Sequence, residues 1–266
     1  MKIGVFDSGF GGLTVLRALV EQMPDAGYVY IGDTARLPYG AKSQATVARY
    51  AVSSAGFLVD QGAEYLVIAC NTASALALDA IREATPVPVL GVIETGANAA
   101  QASTKTGDVL VIATAATVES HAYAAACEAR GLRAYEKACP LLVPLVEEGW
   151  IEHPVTEEVL RIYLGELLAE AESTGLHPDT LVLGCTHYPL LRKQIERRLP
   201  EGIRVIDSAD ATAVQVAAAL GASQTTAGGE AQRSFYATDS VQKFQRLGTR
   251  FLGQAIDHVQ LIDLGG

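Results

Sequence analysis

The sequence predicts an α/β protein with two lobes of similar layout, each a mainly parallel sheet flanked by helices. Three observations lead to this prediction. Apolar runs of strand length alternate with stretches of helical periodicity along the chain. Two of these runs, Tyr65–Ala69 and Thr180–Gly184, are rich in Val, Ile and Leu, which is typical of strands buried on both faces. Each of the two runs is followed by a cysteine, Cys70 or Cys185, so the layout of the first half recurs in the second.

The first part of the chain is interpreted as four strands joined by three helices, a pattern for which right-handed crossovers give a parallel sheet. Pro86 and Pro88 mark the end of the third helix. The predicted strands are Lys2–Phe6, Tyr28–Gly32, the run to Cys70 and Val89–Ile93, and the predicted helices are Leu13–Gln22, Ser43–Gln61 and Ala73–Ala84.

The alternation starts again near Glu94, which indicates a second lobe. Its predicted strands are Asp108–Ala113, Arg133–Lys137, the run to Cys185 and Ile203–Ile206, and its predicted helices are Glu94–Ser103, Thr117–Arg130, Thr156–Ser173 and Tyr188–Leu199. The chain is completed by an alanine-rich helix to Leu220, a small polar loop at Ser223–Gly229 and two tail strands, Ser234–Ala237 and His258–Ile262.

We therefore predict two facing lobes with the active site in the cleft between them. Residues 1–94 and 207–266 form the first lobe, which carries Cys70, and residues 95–206 form the second, which carries Cys185. Both cysteines follow the carboxyl end of a predicted strand, and in open α/β sheets ligands bind at that edge.

The composition is that of an ordinary folded protein and argues against several classes of partner. Hydrophobic residues make up 49% of the 266 residues, which excludes a disordered chain. The net charge of −10 disfavours nucleic acid and anionic membranes, because both attract clustered Lys and Arg. No apolar run reaches the ~18 residues of a membrane span, and no signal peptide is predicted after Lys2. We expect a small-molecule ligand and a cytoplasmic location that keeps thiols reduced.

A glycine-rich turn, Asp7–Gly12, follows the first strand. Such turns occur in dinucleotide sites, but Thr14 stands where the third glycine of that motif is required. Asp7 at the mouth of the turn would also repel a pyrophosphate. A tight turn without a ligand is the simpler interpretation.

The four cysteines form no C-x-x-C pair and have no histidines at zinc-finger spacing, so no metal site is predicted. A buried cysteine is often just a small apolar side chain, but both strand-end cysteines precede polar residues that an apolar core would leave without partners. These are Asn71 and Thr72 after Cys70, and Thr186 and His187 after Cys185. Three chemistries stay open for the pair: a redox disulfide, acyl transfer with His187 as the base, and proton transfer by two opposed thiols, which inverts a stereocentre.

A thiol that acts as a base needs neighbours that tune it. A free thiol with a pKa of ~8.5 is only a few per cent ionised at neutral pH. A helix N-terminus contributes about 0.3–1 kcal/mol, which is less than the roughly 1.36 kcal/mol of one pKa unit. Groups that hydrogen-bond or titrate are therefore required, and the candidates are Asp7, Glu147 and His187.

Five segments, in this order, resemble those of the glutamate racemases in the cofactor-independent aspartate/glutamate racemase superfamily. The resemblance extends over essentially the whole chain. The segments are Phe6–Gly9 with Gly11–Gly12, Gly32–Arg36 with Pro38–Gly40, Ala69–Ala73, Val143–Gly149 and Leu183–Pro189. The aspartate racemases of this superfamily usually lack a histidine at the position of His187, which favours glutamate as the substrate.

The resemblance implies two pseudosymmetric α/β lobes, the first closed by the returning C-terminal chain. It implies an isomerase that interconverts L- and D-glutamate without a cofactor or metal, and that supplies D-glutamate for peptidoglycan. Cys70 and Cys185 would be the two acid/base thiols, assisted by Asp7, Glu147 and His187. The implied substrate contacts are Asp7, Ser8, Tyr39, Gly40, Asn71, Thr72, Thr186 and His187.

Other interpretations stay open at this point. In one of them, the substrate is aspartate or another acidic amino acid. In a second, a two-lobed protein closes on a dicarboxylate without turnover and needs no thiols, and in a third the protein has a non-catalytic role on a cellular partner. Arg36, the cation of the motif loops, either contacts the ligand or anchors its own loop. The oligomeric state is also open, a homodimer included.

Overall fold

The computed structural model describes residues 1–221 and 232–265. The chain divides into two compact units, Met1–Val92 with the residues from Ala209 onward, and Ile93–Ser208. We call them the Cys70 unit and the Cys185 unit. The polar loop predicted at Ser223–Gly229 lies outside the described residues. The predicted domain boundaries and the cleft between lobes stay predictions.

The elements within the described residues are ten strands, twelve α-helices and two 3-10 turns. The strands are β1 (Lys2–Asp7), β2 (Gly27–Gly32), β3 (Tyr65–Ile68), β4 (Val89–Gly91), β5 (Asp108–Ala113), β6 (Arg133–Ala138), β7 (Thr180–Gly184), β8 (Arg204–Asp207), β9 (Arg233–Ala237) and β10 (Gln260–Leu261). The helices are α1 (Leu13–Gln22), α2 (Gln44–Asp60), α3 (Asn71–Leu76), α4 (Leu78–Ala84), α5 (Val92–Ser103), α6 (Ala115–Glu119), α7 (Ala122–Glu128), α8 (Leu142–Glu147), α9 (Pro154–Ser173), α10 (Arg192–Glu196), α11 (Ala209–Ala219) and α12 (Val241–Leu252). The 3-10 turns are Tyr39–Ala41 and Tyr188–Leu191.

The sheet of the Cys70 unit has the strand order β10-β9-β2-β1-β3-β4, and its pairings are parallel. The chain runs from β1 to β2 on one side and then returns to β3 on the other side. The carboxyl ends of β1 and β3 therefore form the switch point at which open α/β sheets bind ligands. The tail strands β9 and β10 extend this sheet beyond β2.

The sheet of the Cys185 unit repeats this layout in the order β6-β5-β7-β8, again with parallel pairings. The chain runs from β5 to β6 and then to β7 on the opposite side of β5, so β5 and β7 form the second switch point. The predicted fold class, two parallel sheets flanked by helices, is confirmed. All residues of β3 and β7 are buried, as their apolar runs predict.

Two predicted helices are each divided in the structure. The prediction of one helix over Ala73–Ala84 is wrong, because Ala77 leaves the helical conformation at φ −132° and ψ −2° between α3 and α4. The prediction of one helix over Thr117–Arg130 is also wrong, because His121 takes a positive φ of 54° between α6 and α7. The apolar pattern continues across both breaks, so periodicity does not reveal them.

Two further element predictions need correction. The predicted helix Tyr188–Leu199 is a 3-10 turn followed by the short α10, with Pro189 inside the turn. The predicted strand Val89–Ile93 ends at Gly91, and α5 starts at Val92. Apolar residues at the end of a short strand also suit the buried face of the next helix, which is why the sequence placed this boundary too late.

The four cysteines are free thiols, and all of them are buried. None of the described helices is both long and apolar enough to cross a membrane. Across residues 1–221 and 232–265, no three His, Cys, Asp or Glu side chains form a group that could hold a metal ion.

Candidate active site

Cys70 lies directly after β3 and caps the first turn of α3. Its Sγ accepts a hydrogen bond from the backbone N–H of Ala73 at 3.4 Å, and its thiol donates to the Oγ of Ser8 at 3.5 Å. Because Ser8 follows β1, the Cys70–Ser8 bond joins the two strand ends of the first switch point. The cysteine is 5% exposed.

The surroundings of Cys70 favour its protonated form. Burial, and then the charge of the Asp7 carboxylate, raise the pKa of Cys70 to about 12, although contacts with Ser8 and Ala73 lower it. Asp7 is the last residue of β1, it is buried, and its Oδ2 accepts a hydrogen bond from the N–H of Gly9 at 2.9 Å. Two acidic groups in one buried place resist ionising together, so Cys70 and Asp7 titrate as a pair.

The Asp7–Gly12 turn is shaped by close packing around the carboxylate. A Cβ on Gly12 would lie 2.5 Å from the Cβ of Asp7 and 2.9 Å from the Cβ of Ala69. From the interior, the Oη of the fully buried Tyr30 donates to the carbonyl of Gly9 at 3.1 Å. Gly12 is therefore explained by packing, without a nucleotide.

Tyr39 is held by a buried carboxylate. Its Oη donates a hydrogen bond to Oδ2 of Asp33, which is fully buried. The Oδ1 of Asp33 also accepts from Nε of Arg36 and from Oγ1 of Thr238, each at 2.9 Å. Burial and the Asp33 carboxylate raise the pKa of Tyr39. Arg36 anchors its own loop, and its guanidinium carbon lies 4.5 Å from the ring centroid of Tyr50.

The other predicted contacts in the Cys70 unit lie at the same sheet edge or in the loop after β2. Asn71 and Thr72 are the first residues of α3 and are buried. Ser8 and Gly40 are half-buried, and Gly40 lies within the first 3-10 turn. Their roles in substrate binding stay predictions.

Cys185 follows β7 as Cys70 follows β3. Its Sγ lies 4.0 Å from Nδ1 of His187, and the Oγ1 of Thr186 lies 3.4 Å from the same nitrogen. On the other side of the imidazole, Nε2 of His187 lies 3.3 Å from Oε1 of Glu147, the last residue of α8. The imidazole thus lies between a thiol and a carboxylate and can exchange protons with the thiol.

Two opposing effects set the protonation of His187. Burial lowers its pKa, whereas the hydrogen bonds and charges of Cys185 and Glu147 raise it, and the result is about 10. The imidazole therefore carries a proton at neutral pH. A positive charge therefore lies 4.0 Å from the Sγ of Cys185.

Three buried residues that hold these groups were missed by the sequence analysis: Tyr30, Asp33 and Tyr188. A signal existed for Asp33, because it is a carboxylate directly after an apolar strand, within a segment already noted. Tyr188 had the same kind of signal, because it lies in the segment Leu183–Pro189, whereas Tyr30 gave none, since a tyrosine within an apolar run is usual in a core.

Together with the fold, these two sites define a class of protein: an α/β protein that carries a buried thiol, hydrogen-bonded to a polar side chain, at the switch point of each of two parallel sheets. The model of the Asp/Glu/hydantoin racemase family matches residues 3–216. A glutamate racemase of Koribacter versatilis is 53% identical, over 99% of this chain and 98% of that protein.

Solved structures of such enzymes have the same fold. A glutamate racemase of Francisella tularensis in complex with D-glutamate gives a TM-score of 0.89 at 35% identity, over 99% of this chain and 97% of that chain. A glutamate racemase of Thermus thermophilus in complex with beta-chloro-D-alanine gives a TM-score of 0.84 at 43% identity, with coverages of 99% and 97%. The chain therefore belongs to the Asp/Glu/hydantoin racemase family, and it is an isomerase of the racemase class.

Proposed function

We propose that this racemase interconverts L- and D-glutamate by moving the α-proton with two thiols, Cys70 and Cys185. One thiolate removes the proton from the α-carbon, and the other thiol delivers a proton to the opposite face. The observation that carries the proposal is the pair of buried thiols, one at the switch point of each sheet, each beside a second group that binds protons.

The step is balanced without a redox partner. One C–H bond breaks as an S–H bond forms, and one S–H bond breaks as a new C–H bond forms. Each turnover leaves the two thiols with exchanged protonation states, so the sites need groups that restore them. Asp7 takes this role for Cys70, and His187 with Glu147 takes it for Cys185.

The carboxylates and the amine of the substrate need polar partners that bind them in their charged forms. We assign this role to Asp7, Ser8, Tyr39, Gly40, Asn71, Thr72, Thr186 and His187. Hydroxyl, amide and backbone N–H groups donate to carboxylates, so no arginine clamp is needed. This agrees with Arg36 being held by Asp33. An α-proton is weakly acidic, so donors fixed in a water-poor site must stabilise the charge that develops.

Glutamate is proposed as the substrate because three similar proteins bear the name glutamate racemase, one of them in complex with D-glutamate. The supply of D-glutamate for peptidoglycan belongs to the proposal and follows the resemblance seen in the motifs. It is tested by growth of a bacterium that requires D-glutamate, with the gene for this chain supplied in place of the amino acid.

A cytoplasmic location is part of the same proposal, supported by four cysteines that are free thiols. Net charge of −10 supports a small-molecule substrate without nucleic acid or an anionic membrane as partner. A homodimer is the oligomeric state to test first, by sedimentation of the purified protein.

The test of the chemistry is L-glutamate in heavy water, followed by polarimetry and by proton NMR of the α-position. We expect the optical rotation to fall to zero while the product D-glutamate carries deuterium at the α-carbon. Racemisation without solvent deuterium would refute proton transfer through exchangeable thiols. Saturable binding without turnover would favour a binding protein, and faster turnover of aspartate in a substrate panel would change the assigned substrate.

Acyl transfer is the second function that an observation favours, because Cys185, His187 and Glu147 have the order of a nucleophile, a base and an orienting acid. It leaves Cys70 without a role. Mass spectrometry of the enzyme after mixing with activated esters distinguishes the two functions. An acyl adduct that forms on Cys185 and is then released supports acyl transfer, and its absence supports the racemase.

A further inference from the structure

Tyr188 makes three polar contacts that the proposed reaction does not use. Its side chain is fully buried, and its Oη lies 2.9 Å from the carbonyl oxygen of Cys139 and 3.2 Å from that of Ala113. Its backbone N–H donates to the carbonyl of Cys185 at 3.1 Å. The residue therefore connects the turn of the thiol to two other chain segments.

One of those two segments leads to Glu147, and the other is hydrogen-bonded to it. Ala113 is the last residue of β5, and Cys139 follows β6 and precedes α8, the helix that ends at Glu147. The N–H of Cys139 donates to the carbonyl of Ala113 at 2.8 Å, and the N–H of Leu142 donates to the carbonyl of Cys139 at 3.2 Å. The phenol thus bonds to the chain at the point from which α8 starts.

We propose that Tyr188 is a positioning residue of the Cys185 site, whose hydroxyl holds the start of α8 against the turn that carries Cys185 and His187. Glu147 then stays within 3.3 Å of Nε2 of His187, and His187 keeps Nδ1 4.0 Å from the thiol. The role in catalysis rests on the proposed function, but the role in positioning rests on these contacts alone.

The position of Glu147 matters because its charge affects the protonation of His187. Burial opposes the charged imidazole, and the carboxylate of Glu147 from α8 is one of the two groups that offset it, Cys185 being the other. Among the described residues, Tyr123 from α7, Cys139 and Tyr188 itself also lie close enough to Cys185 for its charge to raise their pKa values, and all three are neutral acids. The attraction between two charges falls with distance, so a shift of α8 away from His187 disfavours the protonated imidazole and with it the positive charge that faces the thiol.

The test is Tyr188→Phe, which keeps the ring and removes the hydroxyl. Its matched control is Tyr28→Phe, because the Oη of the buried Tyr28 also reaches two main-chain carbonyls, those of Leu19 and Met23, each at 2.8 Å, at the opposite end of the strands. The measurement is the rate at which iodoacetamide alkylates Cys185 and Cys70 between pH 6 and 10, read by mass spectrometry of the peptides.

We expect Tyr188→Phe to slow alkylation of Cys185 about fivefold at pH 10 and little at pH 7. A fall of about one unit from a pKa of about 10 takes the protonated fraction of His187 at pH 10 from about one half to about one tenth. Cys70 alkylation stays as in the wild type, and Tyr28→Phe changes neither thiol. In a Glu147→Gln background, Tyr188→Phe has little further effect, because the hydroxyl acts through Glu147.

Three results would overturn the inference. One is a folded Tyr188→Phe protein whose Cys185 reacts within twofold of the wild-type rate at pH 10, and another is full additivity with Glu147→Gln. The third is failure of Tyr188→Phe to fold where Tyr28→Phe folds, which makes the hydroxyl a requirement of the fold. Alkylation does not need turnover, so a protein that does not racemise glutamate but shows the expected alkylation pattern contradicts the proposed function and leaves this inference standing.

Discussion

The two thiols occupy equivalent positions in their sheets but lie in opposite electrostatic surroundings. Cys70 lies beside the buried carboxylate of Asp7, which together with burial raises the pKa of the thiol to about 12. Cys185 lies 4.0 Å from His187, an imidazole whose pKa is raised to about 10. Strand topology therefore decides where each thiol lies, whereas the neighbouring side chains decide the sign of the charge beside it.

Within the proposed reaction this difference assigns starting roles. Cys70 starts as the acid, because burial and the anion of Asp7 raise its pKa, and the proposed reaction then needs Cys185 as the starting base. The reverse reaction needs the opposite states, so a proton must move through Asp7 at one site and through His187 at the other. Four predictions, in order of decreasing effect, test whether the two thiols differ in this way.

The largest effect is expected from Cys70→Ala and Cys185→Ala. Each variant loses racemisation by more than about 10³-fold, because one face of the α-carbon has no acid or base left. In heavy water each still exchanges the α-proton of one enantiomer without inverting it, and the two variants differ in which enantiomer they exchange. Polarimetry and NMR of the α-proton measure both quantities. The control is Cys127→Ala, which removes a buried thiol on α7 of the Cys185 unit. We expect this variant to keep its activity. Near-normal turnover in Cys70→Ala or Cys185→Ala contradicts the two-thiol assignment.

Opposite changes in thiol reactivity are expected from Asp7→Asn and His187→Gln. Asp7→Asn removes the anion that raises the pKa of Cys70, so iodoacetamide alkylates Cys70 faster at pH 8. His187→Gln removes the cation beside Cys185, so alkylation of Cys185 becomes slower. Both variants lose about 10²-fold in racemisation, the usual contribution of a general acid or base.

Rates for each cysteine come from mass spectrometry of the alkylated peptides. The same direction of change at both thiols would show that their surroundings do not differ in sign, and the comparison would fail.

A smaller effect is expected from Glu147→Gln. The loss of the carboxylate lowers the pKa of His187 from about 10, so the imidazole becomes neutral at a lower pH. We expect kcat/KM to fall about tenfold above pH 10, as for a shift of about one pKa unit, and to differ little near pH 7. Both directions must fall by the same factor, since the equilibrium constant between enantiomers is 1. Glu148→Gln, at the exposed neighbouring position, serves as the control and keeps the wild-type profile; a matching shift in that variant would contradict a specific role of Glu147.

The smallest effect concerns stability. His187 has a raised pKa in the folded protein, so its contribution is fully present below its ordinary value of 6.5 and is lost as the pH rises towards about 10. We expect the free energy of unfolding to fall by about 1–3 kcal/mol between pH 6.5 and 8.5 because of this group. Cys70 acts later, since its own pKa rises from 9.0 to about 12 and its contribution is lost only above pH 9. Urea unfolding at both pH values measures the fall, and His187→Gln should remove most of it; an unchanged slope in that variant assigns the pH dependence to other groups.

The local sequence predicted the strands that lead to the thiols but missed several helix ends. The apolar runs before Cys70 and Cys185 gave β3 and β7, because such runs are stable only where both faces are covered. Ala77 and His121 break helices that periodicity continues through, and the turn after His187 is a 3-10 turn. Such breaks depend on how the neighbouring elements pack, which a local pattern does not contain.

The α/β class, the two strand-end cysteines and the family could be predicted from the sequence alone. Buried parallel strands and motif residues can be recognised from consecutive positions in the chain. Three contacts required the tertiary structure. Glu147 lies beside His187, Asp33 accepts a hydrogen bond from Tyr39, and Tyr188 donates one to the chain before α8. These contacts join elements that are distant in the chain. They follow from strand order and side-chain packing, and neither is encoded in the spacing of residues along one segment.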